Sequence, residues 1–325
     1  MISKLGAIFN PEIKVMHINT LSSKKVIIDG YDFLYDSLSR IRQTDLLLFN
    51  DLGNPTSHIL HLFKYLIDLM ENKIQSIFLF CNYISKENNP VIQYKINKIV
   101  NAFRKHQKNE SESVNELNSS EIDEIYNSLI NELITFIRMC GMAAFIAPDD
   151  ALPQAARLIR EEKAIGIISD DYDSLIFGIP YLYRKLYFEN NTLQCISLEN
   201  ILKRYYIDYH QFLDVIILTG SIYFSGIKGI GPKKSLKIIK KHKSIEKLID
   251  ENIIEELDIQ RIRKLFLESP TSEIEINFQP PNLYEIKKYF LTNNFSIYAF
   301  ENDLMRLDKA YKKLNLKQTK IDKFF

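Results

Sequence analysis

Short apolar runs recur along this chain, with stretches of helical spacing between them, and three of the four stop at or near an acid. Lys25-Val-Ile-Ile-Asp29 is the first, Ser76-Ile-Phe-Leu-Phe80 the second, Ala143-Ala-Phe-Ile-Ala147 the third and Ala164-Ile-Gly-Ile-Ile168 the fourth. Uninterrupted apolar runs of this length fit strands buried on both faces, as in parallel sheets. Helical spacing is expected over 34–48, 58–72, 120–138 and 154–163, with Ser120 as cap of the third helix. The alternation predicts an α/β fold with a mostly parallel central sheet flanked by helices. Ligands of such sheets sit beyond the carboxyl ends of the strands. Acids stand at or just after three of those ends: Asp29, Asp149 and Asp150, and Asp170, Asp171 and Asp173.

A second pattern lies further on. Gly226-Ile-Lys-Gly-Ile-Gly-Pro-Lys-Lys234 reads as a glycine-rich turn opening a lysine-rich helix. Gly226, Gly229 and Gly231 let backbone approach an anion closely. The N–H groups of the helix start then face it, and Pro232 suits a first helical turn. Between Gly226 and Asp250 eight lysines face two acids. A solvated helix behind a glycine hinge would read similarly. The directly following basic helix, with Lys233 and Lys234 at its head, points to a nucleic-acid backbone.

The net charge of this 325-residue chain is only +1, so a nucleic-acid surface must be a local patch. Cys81, Cys140 and Cys195 lie far apart and match no zinc spacing, which fits a reducing compartment. No apolar run reaches the roughly 20 residues of a membrane span, and the first residues lack a signal-peptide pattern. Residues 82–119 are polar and carry Lys86, Lys95, Lys98, Arg104, Lys105 and Lys108. They fit either a solvated insertion or a mobile basic flap over the site.

Several motifs occur in a telling order: Val26-Ile-Ile-Asp29, Gly53-Asn-Pro-Thr-Ser-His58, Met70-Glu-Asn-Lys-Ile74, Ala147-Pro148, Asp171-Tyr-Asp173-Ser-Leu-Ile-Phe-Gly178, Gly226–Lys234 and Lys241-His-Lys-Ser-Ile245. In this the chain resembles the flap endonuclease 1 family of structure-specific 5′ nucleases over nearly its whole length. The resemblance implies a PIN-like nuclease core followed by a helix-hairpin-helix DNA-binding region. Residues 1–110 would form the N-terminal part of the core including a flexible arch, 120–225 its internal part, 226–308 the helical DNA-binding region, and 309–325 a clamp-binding tail. In that tail Gln318, Ile321, Phe324 and Phe325 have the spacing of a peptide that docks on a PCNA-type sliding clamp.

By the same resemblance the chain would act as a monomer in the nucleus on branched DNA with 5′ flaps. Its reactions would be 5′-flap endonuclease and 5′–3′ exonuclease cleavage, in Okazaki-fragment maturation and base excision repair. The family uses two Mg²⁺ ions, with Mn²⁺ as the alternative here and K⁺ at the helix-hairpin-helix. Of the family's seven acids four positions match, Asp29, Asp150, Asp171 and Asp173, as catalytic and metal-binding residues. Asp150 stands where the family has Glu and also lies at the DNA. Cys81, Leu152 and Ile222 replace the other three, and Ile2 replaces a glycine after the initiating Met. The resemblance groups Asp29 with Asp150 and Asp171 with Asp173, leaving two carboxylates per presumed metal. Mg²⁺ often binds through one or two carboxylates plus substrate phosphates. Losing even an outer partner typically costs about 10–100-fold, so three losses predict impaired chemistry. The alternative function is therefore a DNA- and clamp-binding protein with little or no cutting.

The DNA-contacting positions match better. Tyr35 aligns with an aromatic that stacks on a base, Arg42 with a DNA-contacting arginine and Gly220 with a backbone contact, and Thr56 lies in the loop resembling a 3′-flap pocket. Lys95 falls near an arginine that steers the phosphate, and Asn88 stands where the family has a catalytic lysine. Tyr65 replaces another DNA-contacting arginine.

Overall fold

The structure, a computed structural model, describes residues 5–40, 56–82, 90–104, 118–255, 259–293, 295 and 297–321. In chain order its elements are α1 (Gly6–Phe9), β1 (Lys14–His17), β2 (Lys25–Asp29), α2 (Gly30–Arg40), α3 (Ser57–Glu71) and β3 (Gln75–Phe80). Then come α4 (Pro90–Arg104), α5 (Ser119–Met139), β4 (Ala143–Ile146), α6 (Ala151–Arg160), β5 (Ile167–Ile168), β6 (Tyr181–Tyr187) and β7 (Thr192–Ser197). Helices α7 (Leu198–Tyr205), α8 (Tyr209–Thr219), α9 (Pro232–His242), α10 (Ile245–Asp250), α11 (Ile259–Leu267), α12 (Leu283–Thr292) and α13 (Ile297–Ile321) complete the chain. Parallel pairings predominate and helices flank them, which is the expected α/β class. Among the described residues no helix is long and apolar enough to cross a membrane.

The chain forms two compact units. The first takes the residues before Ile18 and Leu152–Ser272; the second takes Ile18–Ala151 and the residues from Glu273 onward.

In the second unit β2, β3 and β4 run parallel, with Asp29 opposite Leu79 and Phe80 opposite Ile146. Every residue of β3 is buried, as its unbroken apolar run predicts. Phe63, Phe136, Phe290 and Phe300 form an aromatic core, with Phe290 5.2 Å from Phe63 and 4.8 Å from Phe300 between centroids. That core ties the C-terminal helices α12 and α13 to α3 and α5. Arg306 of α13 reinforces it through Asp68 at 3.1 Å and Glu71 at 2.8 Å. Gly141 has φ +88° and a side chain there would meet the Gln279 carbonyl at 2.4 Å, so only glycine fits.

The start of α5 differs from the expectation. The cap of α5 is Asn118 rather than Ser120. Its side chain accepts from the Glu121 N–H at 3.0 Å, while Glu121 accepts from the Asn118 N–H at 2.9 Å. This reciprocal pair satisfies two end donors at once, which Ser120 could not do. Within the polar stretch after β3, Pro90–Arg104 is the regular helix α4, burying Val91, Ile92, Lys95, Ile96, Ile99, Val100 and Phe103.

In the first unit the strand order is β1-β7-β6-β5. Strand β5 pairs parallel with β6, while β6–β7 and β7–β1 are antiparallel. Strand β5 is only Ile167–Ile168, shorter than the apolar run suggested, and the β6–β7 hairpin was not foreseen. Helix α8 opens on a capping box between Asp208 and Gln211. The Thr219 and Ser235 hydroxyls, 2.8 Å apart, link α8 to α9. Asp214 of α8, 2 % exposed, accepts from Arg263 of α11 at 2.5 Å and from the Ile245 N–H at 3.2 Å. Arg263 also pairs with Glu246 of α10, so one guanidinium fastens three helices.

Candidate functional site

The acids fall into two groups, one in each unit. In the second unit β2 ends on Asp29, which is 2 % exposed. Its Oδ1 accepts from the Tyr31 and Asp32 N–H groups at 3.1 and 3.4 Å, at the N-terminus of α2, where a negative charge is favoured. Cys81 follows β3 and is fully buried. Its thiol lies 3.5 Å from Asp150 Oδ1. Burial, then the Asp150 charge, push its pKa far above the ordinary thiol value, so it keeps its proton.

Asp150 precedes α6, and both its oxygens accept from Lys95 Nζ, at 3.0 and 3.2 Å. Lys95 and Asp150 are each only 2 % exposed. The Lys95 ammonium also lies 5.6 Å from the Tyr31 ring centroid. The Tyr126 hydroxyl donates to the Cys81 carbonyl at 3.2 Å, and burial raises its pKa well above the usual phenol value.

In the first unit Asp171 caps a 3-10 turn, Tyr172–Phe177, accepting from the Asp173 N–H at 2.9 Å. Asp173 is buried and accepts from the Ile222 N–H at 3.3 Å. The residue that replaces a family acid thus still touches the site, through its backbone. Asp170 turns elsewhere, to Lys185 at 2.6 Å and Arg184 at 3.3 Å. Leu152 is completely buried.

These residues do not fit the family's two-metal set. Among the described residues, which include all four matching acids, no group of three or more His, Cys, Asp or Glu is arranged to hold a metal. Asp150 is covered by an ammonium, Cys81 is a neutral thiol, and Leu152 and Ile222 offer no side-chain oxygen.

The glycine loop has a different character. Gly220 and Gly226 have φ of +90° and +70°, and a side chain on Gly226 would meet the Gly220 nitrogen at 2.4 Å. These two glycines are required by the fold. Gly229 and Gly231 are not crowded: a Cβ on either would meet nothing within 4 Å. Gly231 is the N-cap of α9 and Pro232 its first residue, as the sequence predicted. Lys234 Nζ donates to the Gly229 carbonyl at 3.3 Å, and Lys233 is exposed.

Tyr35 is half-buried, stacked on Tyr31 at 6.1 Å, with the Lys98 ammonium 5.2 Å from its ring. Thr56 is buried ahead of α3. Gln318 and Ile321 lie within α13, while Arg42, Asn88, Phe324 and Phe325 lie outside the described residues. Lys95 as the partner of Asp150 was not foreseen. The signal was present, since Lys95 falls in the apolar row of α4 beside Ile92, Ile96 and Ile99.

The XPG N-terminal domain model matches residues 2–112, and the XPG I-region model residues 141–221. The chain is 31 % identical to flap endonuclease 1 of Thermococcus onnurineus, over 92 % of this chain and 93 % of that protein. It is 31 % identical to the Saccharolobus solfataricus flap endonuclease 1, over 95 % and 96 %. Among solved structures it is similar to flap endonuclease-1 from Methanococcus jannaschii, with TM-score 0.73, 22 % identity and coverage of 95 % and 98 %. It is also similar to the catalytic core of Rad2 in complex with DNA substrate, with TM-score 0.69, 20 % identity and coverage of 94 % and 98 %. These structural likenesses concern the fold. With sequence similarity spanning nearly the whole chain and the motifs in matching order, this protein belongs to the flap endonuclease 1 family.

Proposed function

We propose that this protein grips branched DNA carrying a 5′ flap and serves flap removal as a structure-specific 5′ nuclease, with endonuclease and 5′–3′ exonuclease modes. The observation that carries the DNA reading is the open loop at Gly229–Gly231 leading into the lysine-rich helix α9. Glycines uncrowded by the fold leave room for a phosphate against the backbone, and the helix start supplies N–H groups. The Rad2 core, solved with DNA substrate, has a similar fold.

In this reading Lys233 and Lys234 contact phosphates with Gly220, Gly226, Gly229 and Gly231, and Tyr35 and Arg42 contact the branch, whereas Thr56, Lys95 and Asp150, expected there too, are buried. Asp29, Asp150, Asp171 and Asp173 are the catalytic acids. Gln318, Ile321, Phe324 and Phe325 engage a PCNA-type clamp, which assigns the protein to nuclear replication and base excision repair. Mg²⁺ or Mn²⁺ is the expected divalent ion, and K⁺ belongs at the helix-hairpin-helix.

A second reading, binding without cutting, is favoured by the buried Lys95–Asp150 pair and the protonated Cys81. Cleavage of an end-labelled double-flap DNA in excess protein, with Mg²⁺ and separately Mn²⁺, separates the two. Cutting at the flap base that Asp171→Ala abolishes supports the first. Bound but uncut DNA under both ions supports the second. Failure to bind double-flap DNA in preference to linear duplex overturns both.

A further inference from the structure

We infer that Lys95 is a built-in cation that holds the place of a metal ion at Asp150, so that the acid group of the second unit is complete without one. The inference rests on the family reading of Asp29 and Asp150 as metal-ligand positions.

A lysine on the apolar face of a helix is rarely buried unless it is paired. Lys95 is only 2 % exposed, on a helix that also buries Val91, Ile92, Ile96 and Ile99, and its ammonium reaches both oxygens of an equally buried carboxylate. The surroundings have changed in the same sense. A divalent ion calls for several carboxylates around it, whereas one ammonium balances one carboxylate. Cys81 supplies a thiol where the family has an acid, and its Sγ lies 3.5 Å from Asp150 Oδ1. Asp29 is held by N–H donors at the start of α2. The Tyr31 ring lies by the ammonium, a favourable neighbour for a cation. A group that the family builds from acceptors has here become one in which protein donors meet the two surviving carboxylates. A metal ion reaching Asp150 would have to displace Lys95 and leave an ammonium buried without its partner, at heavy cost.

The test measures thermal unfolding of the full chain without DNA, in EDTA and across a Mn²⁺ series. It compares wild type, Lys95→Met and the charge-neutral double variant Lys95→Met/Asp150→Asn. In EDTA the single variant should melt about 6–10 °C below wild type, from an uncompensated buried carboxylate. Mn²⁺ should restore most of that loss in a saturable manner, because the vacated place now accepts a cation. The double variant should recover the EDTA loss, and its response to Mn²⁺ should equal that of wild type. A wild-type response larger than that of the double variant would place metal at Asp150 despite Lys95 and overturn the inference. So would a Lys95→Met variant that melts like wild type, or one that is destabilised but gains nothing from Mn²⁺. Should Lys95→Met fail to fold, wild type against the double variant still decides. With DNA absent, failure here is distinct from failure of the DNA-binding reading.

Discussion

The loop between Gly220 and Lys234 and the acid group around Asp150 have fared differently under substitution. The loop keeps each glycine that its geometry uses: positive φ at Gly220, Gly226 and Gly229, and an uncrowded N-cap at Gly231. The acid group keeps Asp29 and Asp150 but carries Cys81 as a thiol and encloses the Lys95 ammonium. Backbone shape and several lysines share the task of holding a polyanion, so no single side chain decides it. A divalent centre depends on a few oxygens, and each loss is felt at once. Grip is therefore the property that such a chain retains more easily than chemistry.

The largest effect is expected at the scaffold of the loop. Arg263→Met would leave Asp214 buried beside an apolar side chain and should cost about 3–5 kcal/mol in a urea melt. A loss below about 1 kcal/mol would mean that the three helices do not depend on that guanidinium. Gly226→Ala meets both a positive φ and a 2.4 Å clash, and should cost about 2 kcal/mol or more while weakening flap binding. Unchanged melting would show that the loop has a second conformation of similar energy.

Two further variants sharpen the contrast without unfolding anything. Replacing Lys233 and Lys234 by alanine should weaken DNA binding across sequences and reduce the slope of log K against log salt by about two. A slope equal to wild type would move the phosphate contacts away from the head of α9. Gly231→Ala is the smallest change. Nothing lies within 4 Å of the added carbon, so stability should hold within about 0.5 kcal/mol. Flap affinity should nevertheless fall, because the methyl group occupies the space that a phosphate would approach. Equal loss of stability and affinity would reduce the loop to a structural hinge.

The sequence disclosed the parallel strands of the second unit because strands buried on both faces leave unbroken apolar runs, as in Ile77–Phe80 of β3. The hairpin of Tyr181–Tyr187 and Thr192–Ser197 was hidden. Arg184 and Lys185 interrupt its first strand and only part of it is buried. The cap of α5 was misplaced by two residues because Asn118, Ser119 and Ser120 are all competent caps, and only the spacing to Glu121 selects the first. At the site, the losses at Cys81, Leu152 and Ile222 could be seen only against the family pattern. The place of Lys95 in the apolar row of α4 marked it for burial, but its partner was hidden, since Lys95 and Asp150 are 55 residues apart.

A grip on branched DNA that persists where Lys95 stands at Asp150 does not need a divalent ion. Its most direct test is the affinity of the full chain for a double-flap DNA and for a linear duplex of equal length, each measured in EDTA and in Mg²⁺. A preference for the flap of about tenfold or more, present to the same degree in both conditions, is the predicted result. A preference that appears only when the divalent ion is added would contradict the claim, because recognition would then pass through an intact metal centre.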